Sequence, residues 1–513
     1  MNLTDPIWRA CEAWPEHVAV HVGDRSLRYS ELATLAGTVA QRLALAGVEP
    51  ADVVALALSQ PLIELLVTLG AVRIGATVTP HKPNWAAALK KELFGRHATR
   101  WLIGDARQPD PVAQSMGVRC LDSSALLAPA GSGAAQAGRP PVVRGLDAVP
   151  WRLSLSSGTT GTPKSIPQSH ALGALVLSLV AAMAGEANQR LMVYADLAIG
   201  VAAAEGLAQL AVGGELVLLP SPGAPQVLAA LRQHQPTRLV TTTGNAGGLV
   251  EHAHRICPEG AGGGGSLRSV LIAGSAVAPA LRQGVARHLC EHIEVAYGST
   301  EAGRLAVLNP AAHGLRPGSA GRLLPWVQAR AFDESGEALP VGQVGLLGFR
   351  APTVFDGYLG DAVTTAAVLR DGWFFPGDRG SVDEAGFLSL HGRVDDVLNL
   401  GGLKLDPSRI EGVLDRHPGV RESAVLALDA PGGQTVLVAV LVVDGPFDEA
   451  ALRQRCRAQL GPSMVPRLFT AVEALPRNDA GKIMRRALVA RWSIGPAPAA
   501  APQETRPQAP QQE

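Results

Sequence analysis

The stretch SSGTTGTPKS, Ser156 to Ser165, packs two glycines, three threonines, three serines and one lysine into ten residues. Backbone N–H groups, hydroxyls and a cation converge there, the composition of a phosphate-holding turn. A Walker-type loop carries glycine directly before its lysine and then opens a helix. Here Pro163 precedes Lys164, and proline has no N–H to offer a phosphate. The loop must hold its phosphate in another way.

On either side of this loop the chain alternates strand and helix signals. VAVHV (Val18–Val22) reads as a strand. The helix that follows buries Leu32, Leu35, Ala36, Val39 and Leu43, opens at Ser30 and stops at Gly47. DVVALAL, PLIELLVTLGAVRIG and ATVTP repeat the pattern, with proline near the helix start. Beyond the loop, ELVLLP, RLVTTT, SVLIAG and IEVAYG are short apolar runs followed by turn residues. Such repetition predicts an α/β body of parallel or mixed sheets covered by helices. Residues 127–146 have the Gly/Ala/Pro composition of a linker. After about Arg393 the pattern becomes helix, strand, strand, helix, a small α+β domain. The expected division is 1–393 for the body, 394–492 for the small domain and 493–513 for a disordered Pro/Ala/Gln tail.

With 513 residues, 47% apolar and 18% charged, the chain is long enough for more than one core and too apolar to be disordered. Lys+Arg and Asp+Glu are both 45, so no basic field points to nucleic acid or an anionic membrane. Five scattered cysteines without a CxxC pair, and no leader-like or membrane-spanning run, predict a cytoplasmic protein. Lysine occurs only at positions 82, 90, 91, 164, 404 and 482; all other basic side chains are arginine. An ammonium is a compact point charge and a guanidinium a wide fork, so a site that needs the former would keep its lysine.

Four further segments complete the pattern. They are AYGSTEAG (Ala296–Gly303), GLLGFRAPTVFDGY (Gly345–Tyr358), GWFFPGD with GRVDDVLNLGG inside Gly372–Glu411, and PRNDAGK before Ile483. Singly, each reads as ordinary turn chemistry. In this order they resemble the adenylate-forming superfamily, which comprises acyl- and aryl-CoA ligases, adenylation domains of peptide synthetases and beetle luciferases. The likeness covers residues 5 to 492. It implies an ATP- and Mg²⁺-dependent attack of a carboxylic acid on the α-phosphate, giving acyl-AMP, which the thiol of CoA then captures.

The resemblance assigns roles. Ser156, Ser157, Gly158, Thr159, Thr160, Gly161, Thr162 and Lys164 form a mobile cover over the β- and γ-phosphates. Gly274, Ser275, Tyr297 and Gly298 flank adenine; Asp378 accepts from the ribose hydroxyls, supported by Arg393; Thr300 lies near the α-phosphate and Glu301 binds Mg²⁺. Lys482 stands between carboxylate and phosphate. Two like unit charges about 4 Å apart repel by roughly 4 kcal/mol at an effective dielectric of about 20, and a slim cation between them turns that cost into transition-state stabilisation. Asp395 matches the hinge about which the small domain turns, bringing Gly401, Gly402 and Lys404 to the thiol side.

The acid pocket falls on YADLAIGVAAAEGLAQLAVGGELVL (Tyr194–Leu218), with Asp196, Ile199, Gly200 and Glu205 as its candidates. Small side chains leave volume for a ring or a medium chain, and Glu205 has two readings, a partner for a substrate amino group or a core-paired carboxylate. Glu251, His252, His254 and Cys257 fit no tetrahedral zinc spacing well. A separate carrier protein bearing phosphopantetheine is the alternative acceptor to CoA. A nucleotide-binding regulator is the alternative from another class, disfavoured because binding alone has no use for Lys482.

Overall fold

The computed structural model describes residues 1–105, 110–128, 143, 145–156, 163–184, 189–219, 223–257, 265–310, 316, 318–394, 398–400, 403–405, 407–429, 435–478 and 481–493. Most of the linker at 127–146 and nearly all of the tail at 493–513 lie outside them. The chain forms two compact units, Met1–Asp396 with Arg477–Lys482, and Val397–Pro476 with the residues after Lys482. Arg477–Lys482 thus folds with the first unit, apart from the residues on either side of it.

The first unit contains two sheets. The six-stranded one runs Arg119–Asp122, Thr99–Gly104, Val53–Ala57, Thr77–Pro80, Pro150–Ser156 and Lys164–Ser169. All neighbours are parallel except the last pair, an antiparallel hairpin in which Ser156 faces Lys164. The larger sheet has fifteen strands among the described residues. Its parallel part runs Val18–Val22, Glu215–Leu218, Arg190–Tyr194, Arg238–Thr242, Ser269–Ala273 and Ile293–Ser299.

Side-chain parity explains why those strands read as unbroken apolar runs. Leu191, Val193, Leu216, Leu218, Val240 and Leu271 face a core shared with the helices Tyr29–Ala46, Pro61–Arg73 and Gly200–Ala211 and with the six-stranded sheet. Their neighbours Met192, Val217, Leu239, Val270 and Ile272 face a second core under Ala224–His234, Thr243–Ile256 and Pro279–His288. A strand buried on both faces has no polar alternate positions. The helix Tyr29–Ala46 ends as expected at Gly47, whose φ of +92° is the left-handed cap that glycine favours.

Past Ile293–Ser299 the sheet becomes antiparallel through Gly303–Leu308, Ser319–Leu323, Phe387–Arg393 and Asp378–Val382. These residues read in sequence as turns because glycines interrupt them. One glycine shows why it is needed: a Cβ on Gly321 would sit 2.3 Å from the Val307 carbonyl carbon.

The second unit pairs Val420–Asp429 antiparallel with Thr435–Val443, which pairs parallel with Leu468–Ala471. Ile410, Leu414, Val425, Leu441, Leu452 and Cys456 form its core with the helices Pro407–Leu414 and Glu449–Leu460. Glu411 accepts from Arg485 through both oxygens, at 2.8 and 2.7 Å. Among the described residues no helix is long and apolar enough to cross a membrane.

The exit strand of the opening loop is gripped from the side. Arg96 Nη1 donates to the Pro163 carbonyl at 2.8 Å, and His97 Nε2 lies 2.8 Å from Ser165 Oγ. His97 and Ser165 are both buried. Burial, with Arg96 beside it, pushes the His97 imidazole down from 6.5 to about 4. Between those values the unfolded chain binds a proton that the folded chain refuses, so the contribution of His97 to stability falls as pH drops from 6.5 toward 4. The buried Glu64 and Asp415 carboxyls, which burial raises to about 7, contribute with the opposite sign. His97→Gln is expected to flatten part of that acid limb, leaving the share of His170, which is likewise pushed down to about 4. Urea unfolding of both proteins from pH 4.5 to 7.5 checks this; parallel limbs would show that His97 takes up protons without unfolding.

Candidate active site

The parallel strands of the large sheet end in the segments singled out above, and the carboxyl ends of such strands are where open α/β sheets present their sites. Ser269–Ala273 runs into Gly274, whose φ is +106°, a conformation that glycine adopts without strain. Ile293–Ser299 carries Tyr297 and Gly298 and delivers Thr300 and Glu301 at its exit. A Cβ on Gly298 would lie 2.0 Å from the Gly303 carbonyl oxygen, so no other residue fits this hairpin.

Two polar clusters stand at these ends. In the first, the Tyr297 hydroxyl donates to Asp378 Oδ2 at 2.6 Å and Arg393 Nη1 donates to Asp378 Oδ1 at 2.9 Å. Arg393 is held in turn by the Pro376 carbonyl at 2.7 Å. Burial, then the neighbouring Asp378 charge, raises the Tyr297 hydroxyl well above its ordinary value, so it remains a donor. One carboxylate thus joins the strand end to the antiparallel region, with lone pairs left for further donors.

In the second cluster the Tyr358 hydroxyl donates to Glu301 Oε1 at 3.0 Å. Lys164 Nζ stands 4.9 Å from the centroid of the same ring. Burial and the Glu301 charge raise this tyrosine as well. Glu301 and Lys164, 137 positions apart by number, are therefore linked through one side chain.

Lys482 belongs to the segment that folds with the first unit. Its N–H donates to Asn478 Oδ1 at 2.8 Å, and its carbonyl accepts from Asn478 N–H at 2.9 Å. Gly481, with φ of +78°, lies against Thr242 and the Gly244 N–H, and its carbonyl accepts from Ser275 Oγ at 3.3 Å. The lysine is thereby seated at the end of Arg238–Thr242, beside Ser275.

The acid-pocket residues separate. Asp196 caps its own turn, accepting from the Ala198 N–H at 2.8 Å, and lies 3.9 Å from Lys82 Nζ. Arg152 donates to the carbonyls of Leu197 and Ala198. Ile199 precedes the helix Gly200–Ala211, and a Cβ on Gly200 would meet open space. Glu205 turns the other way. Its carboxylate is 3% exposed, hydrogen-bonded to Arg304, with Arg238 Nε at 3.9 Å. Of the two readings open for Glu205, this is the core-paired carboxylate, with Arg304 as its hydrogen-bond partner and Arg238 shared with Glu294.

Ser157, Gly158, Thr159, Thr160, Gly161, Thr162, Asp395, Gly401 and Gly402 lie outside the described residues. Lys404 is placed on the strand Leu403–Leu405, opposite Asn399. Thr300 sits in the turn after Ile293–Ser299. In the zinc-like segment, Glu251 pairs with Arg255 at 3.0 Å and His254 packs edge-on against His288. Tyr358 has no role in the sequence-based assignment. Its scarcity was the available signal, because the chain has only four tyrosines and two of them stand in these clusters.

Glu301 fits a magnesium ion that arrives with a nucleotide. Among the described residues no three His, Cys, Asp or Glu side chains form a metal cage. Mg²⁺ is commonly held by one or two carboxylates together with substrate phosphates, and Glu301 keeps acceptor capacity beyond its bond from Tyr358.

The family model for AMP-binding enzymes matches residues 7–359, and that for the AMP-binding enzyme C-terminal domain matches 409–482. A 3-hydroxybenzoate–CoA ligase of Aromatoleum sp. (strain CIB) is 28% identical, over 94% of this chain and 96% of its own. A 4-chlorobenzoate–CoA ligase of Arthrobacter sp. is 30% identical, over 90% and 89% respectively. ATP-bound MatB of Rhodopseudomonas palustris shares the fold, with a TM-score of 0.84 at 24% identity over 96% of this chain and 99% of that one. Matched over most of its length and carrying both clusters at its strand ends, the chain belongs to the AMP-binding enzyme family.

Proposed function

We propose that this protein is an ATP-dependent aryl acid–CoA ligase of the cytoplasm. The seat of the Lys482 segment carries the proposal: it folds against Thr242, Gly244 and Ser275, at the strand ends that also hold Tyr297 and Glu301. Benzoate-type ligases among its relatives support an aromatic acid, and the small side chains after Asp196 leave room for one. Five free thiols support a reducing compartment.

In the first step a carboxylate oxygen of the acid forms a bond to the α-phosphorus of ATP. The bond to the bridging oxygen breaks, and pyrophosphate leaves with the electron pair. Lys482 stands between the two anions and offsets their repulsion. Tyr297 and Asp378 hold the nucleoside, Arg393 fixes Asp378, and Lys164 with the Ser156–Lys164 hairpin receives the departing pyrophosphate. Glu301, together with the phosphates, would hold magnesium, which when bound would supply charge neutralisation. In the second step the thiol sulfur of CoA attacks the acyl carbon, AMP leaves, and the thiol proton passes to solvent. Gly401, Gly402 and Lys404 serve the thiol side after the second unit turns about Asp395.

A separate carrier protein is the second reading for the acceptor, because the adenylation step does not depend on which phosphopantetheine thiol follows.

A panel of substituted benzoates and medium-chain acids, scored by pyrophosphate release with ATP and Mg²⁺, is expected to give the highest kcat/KM with a benzoate. Release with no acid in the panel would refute the assignment. Supplying free CoA or a phosphopantetheinylated carrier then identifies the acceptor by thioester formation. Lys482→Ala is expected to lower acid-dependent pyrophosphate exchange by about a thousandfold, in the range of a lost transition-state charge contact. Thioester formation from supplied aryl-AMP should stay within about threefold, since that step makes no use of the cation between carboxylate and phosphate. Equal loss in both half-reactions would contradict the role given to Lys482.

A further inference from the structure

We infer that Tyr358 is a positioning residue that couples Glu301 to Lys164, holding the metal-side carboxylate and the phosphate-side ammonium in fixed relation through one ring. The inference rests on the roles proposed above for those two residues and adds the part that joins them.

The geometry leaves this ring little freedom. Tyr358 is 8% exposed, and Phe355 packs edge-on against it at 4.8 Å. Its own N–H donates to Thr365 Oγ1 at 2.9 Å. The backbone around it is bound to both partners' elements: Phe355 N–H donates to the Glu301 carbonyl at 2.8 Å, and Leu359 N–H donates to the Ser165 carbonyl at 2.9 Å. The turn 355–359 therefore spans from the exit of Ile293–Ser299 to the exit of the opening loop. At its centre the hydroxyl reaches Glu301 at 3.0 Å while the ring stands 4.9 Å from Lys164 Nζ.

Tyrosine suits this task because its two ends attract opposite charges. The hydroxyl donates to an anion, and the ring face attracts a cation through its quadrupole. Among the described residues Glu301 and Lys164 form no ion pair with each other. Direct pairing would spend both charges on one another. With the ring engaging each, the carboxylate stays available to a metal and the ammonium to a phosphate.

The two attachments can be cut separately. Tyr358→Phe removes the hydroxyl and keeps the ring; Tyr358→Leu removes both. ATP binding is measured by titration calorimetry, first in EDTA and then at stepped Mg²⁺, with pyrophosphate exchange recorded alongside. In EDTA, Tyr358→Phe is expected to bind ATP within about twofold of the parent, while Tyr358→Leu binds about fivefold more weakly, the scale of one cation–π contact. With magnesium, Tyr358→Phe is expected to need about tenfold more Mg²⁺ for half-maximal exchange, the scale of one hydrogen bond to a charged group.

Glu301→Gln and Lys164→Ala are the controls, and thermal unfolding reports on folding. If Glu301→Gln shifts the Mg²⁺ requirement and Tyr358→Phe does not, the coupling is overturned while the role of Glu301 stands. If neither shifts it, the proposed role of Glu301 fails and the coupling falls with it. If Tyr358→Phe and Tyr358→Leu lose ATP affinity and thermal stability in parallel, the tyrosine is only a packing residue and the inference is wrong.

Discussion

Burial on both faces of the parallel strands is the constraint on which the rest depends. Arg190–Tyr194, Arg238–Thr242, Ser269–Ala273 and Ile293–Ser299 send alternate side chains into two cores. Polar groups along their length are spent inside the fold, as Thr241 is on the Tyr194 carbonyl and Arg238 on Glu294. Groups that can meet a ligand stand where the strands end. Tyr297, Glu301, Ser275 and the seat of Lys482 all occur there, and the antiparallel strands that follow bring Asp378 and Arg393 to the same place.

Charge inside this unit follows a consistent division of labour. Guanidiniums serve as buried structural forks: Arg238 and Arg304 hold Glu205, and Arg152 holds the carbonyls of Leu197 and Ala198. Ammonium groups serve where a compact charge is required. Lys90 shows that this requirement need not be catalytic. It is 7% exposed and donates to the Pro83 carbonyl and Asp110, both at 2.6 Å. A lysine kept in this arginine-rich chain can therefore be structural, as at Lys90, or exposed, as at Lys91, and position in the fold tells these from a functional one.

Much of the fold was legible in the chain. Strands such as Val18–Val22 and Ser269–Ala273 and the helix Tyr29–Ala46 lie where apolar runs and turn residues place them. The antiparallel strands between Gly303 and Arg393 were not legible, because glycines such as Gly321 that permit close strand approach also look like turn residues. Of the site, the glycine-rich segments marked the strand ends and the residues there. Glu205 was ambiguous: its charge is visible in sequence, but its partners at positions 238 and 304 are not. Tyr358 lies inside a quoted segment, yet its importance arises from two contacts with residues remote in sequence.

Local chemistry determined which segments turn, which bury an apolar face, and which collect hydroxyls, N–H groups and lysines. Those properties belong to near neighbours along the chain, so the sequence by itself carries them. Tertiary structure alone decided which carboxylate is spent on a guanidinium, that Arg477–Lys482 folds with the first unit, and that one tyrosine joins Glu301 to Lys164. Each depends on distances of a few ångströms between residues scores of positions apart, and such distances exist only after the sheets have packed.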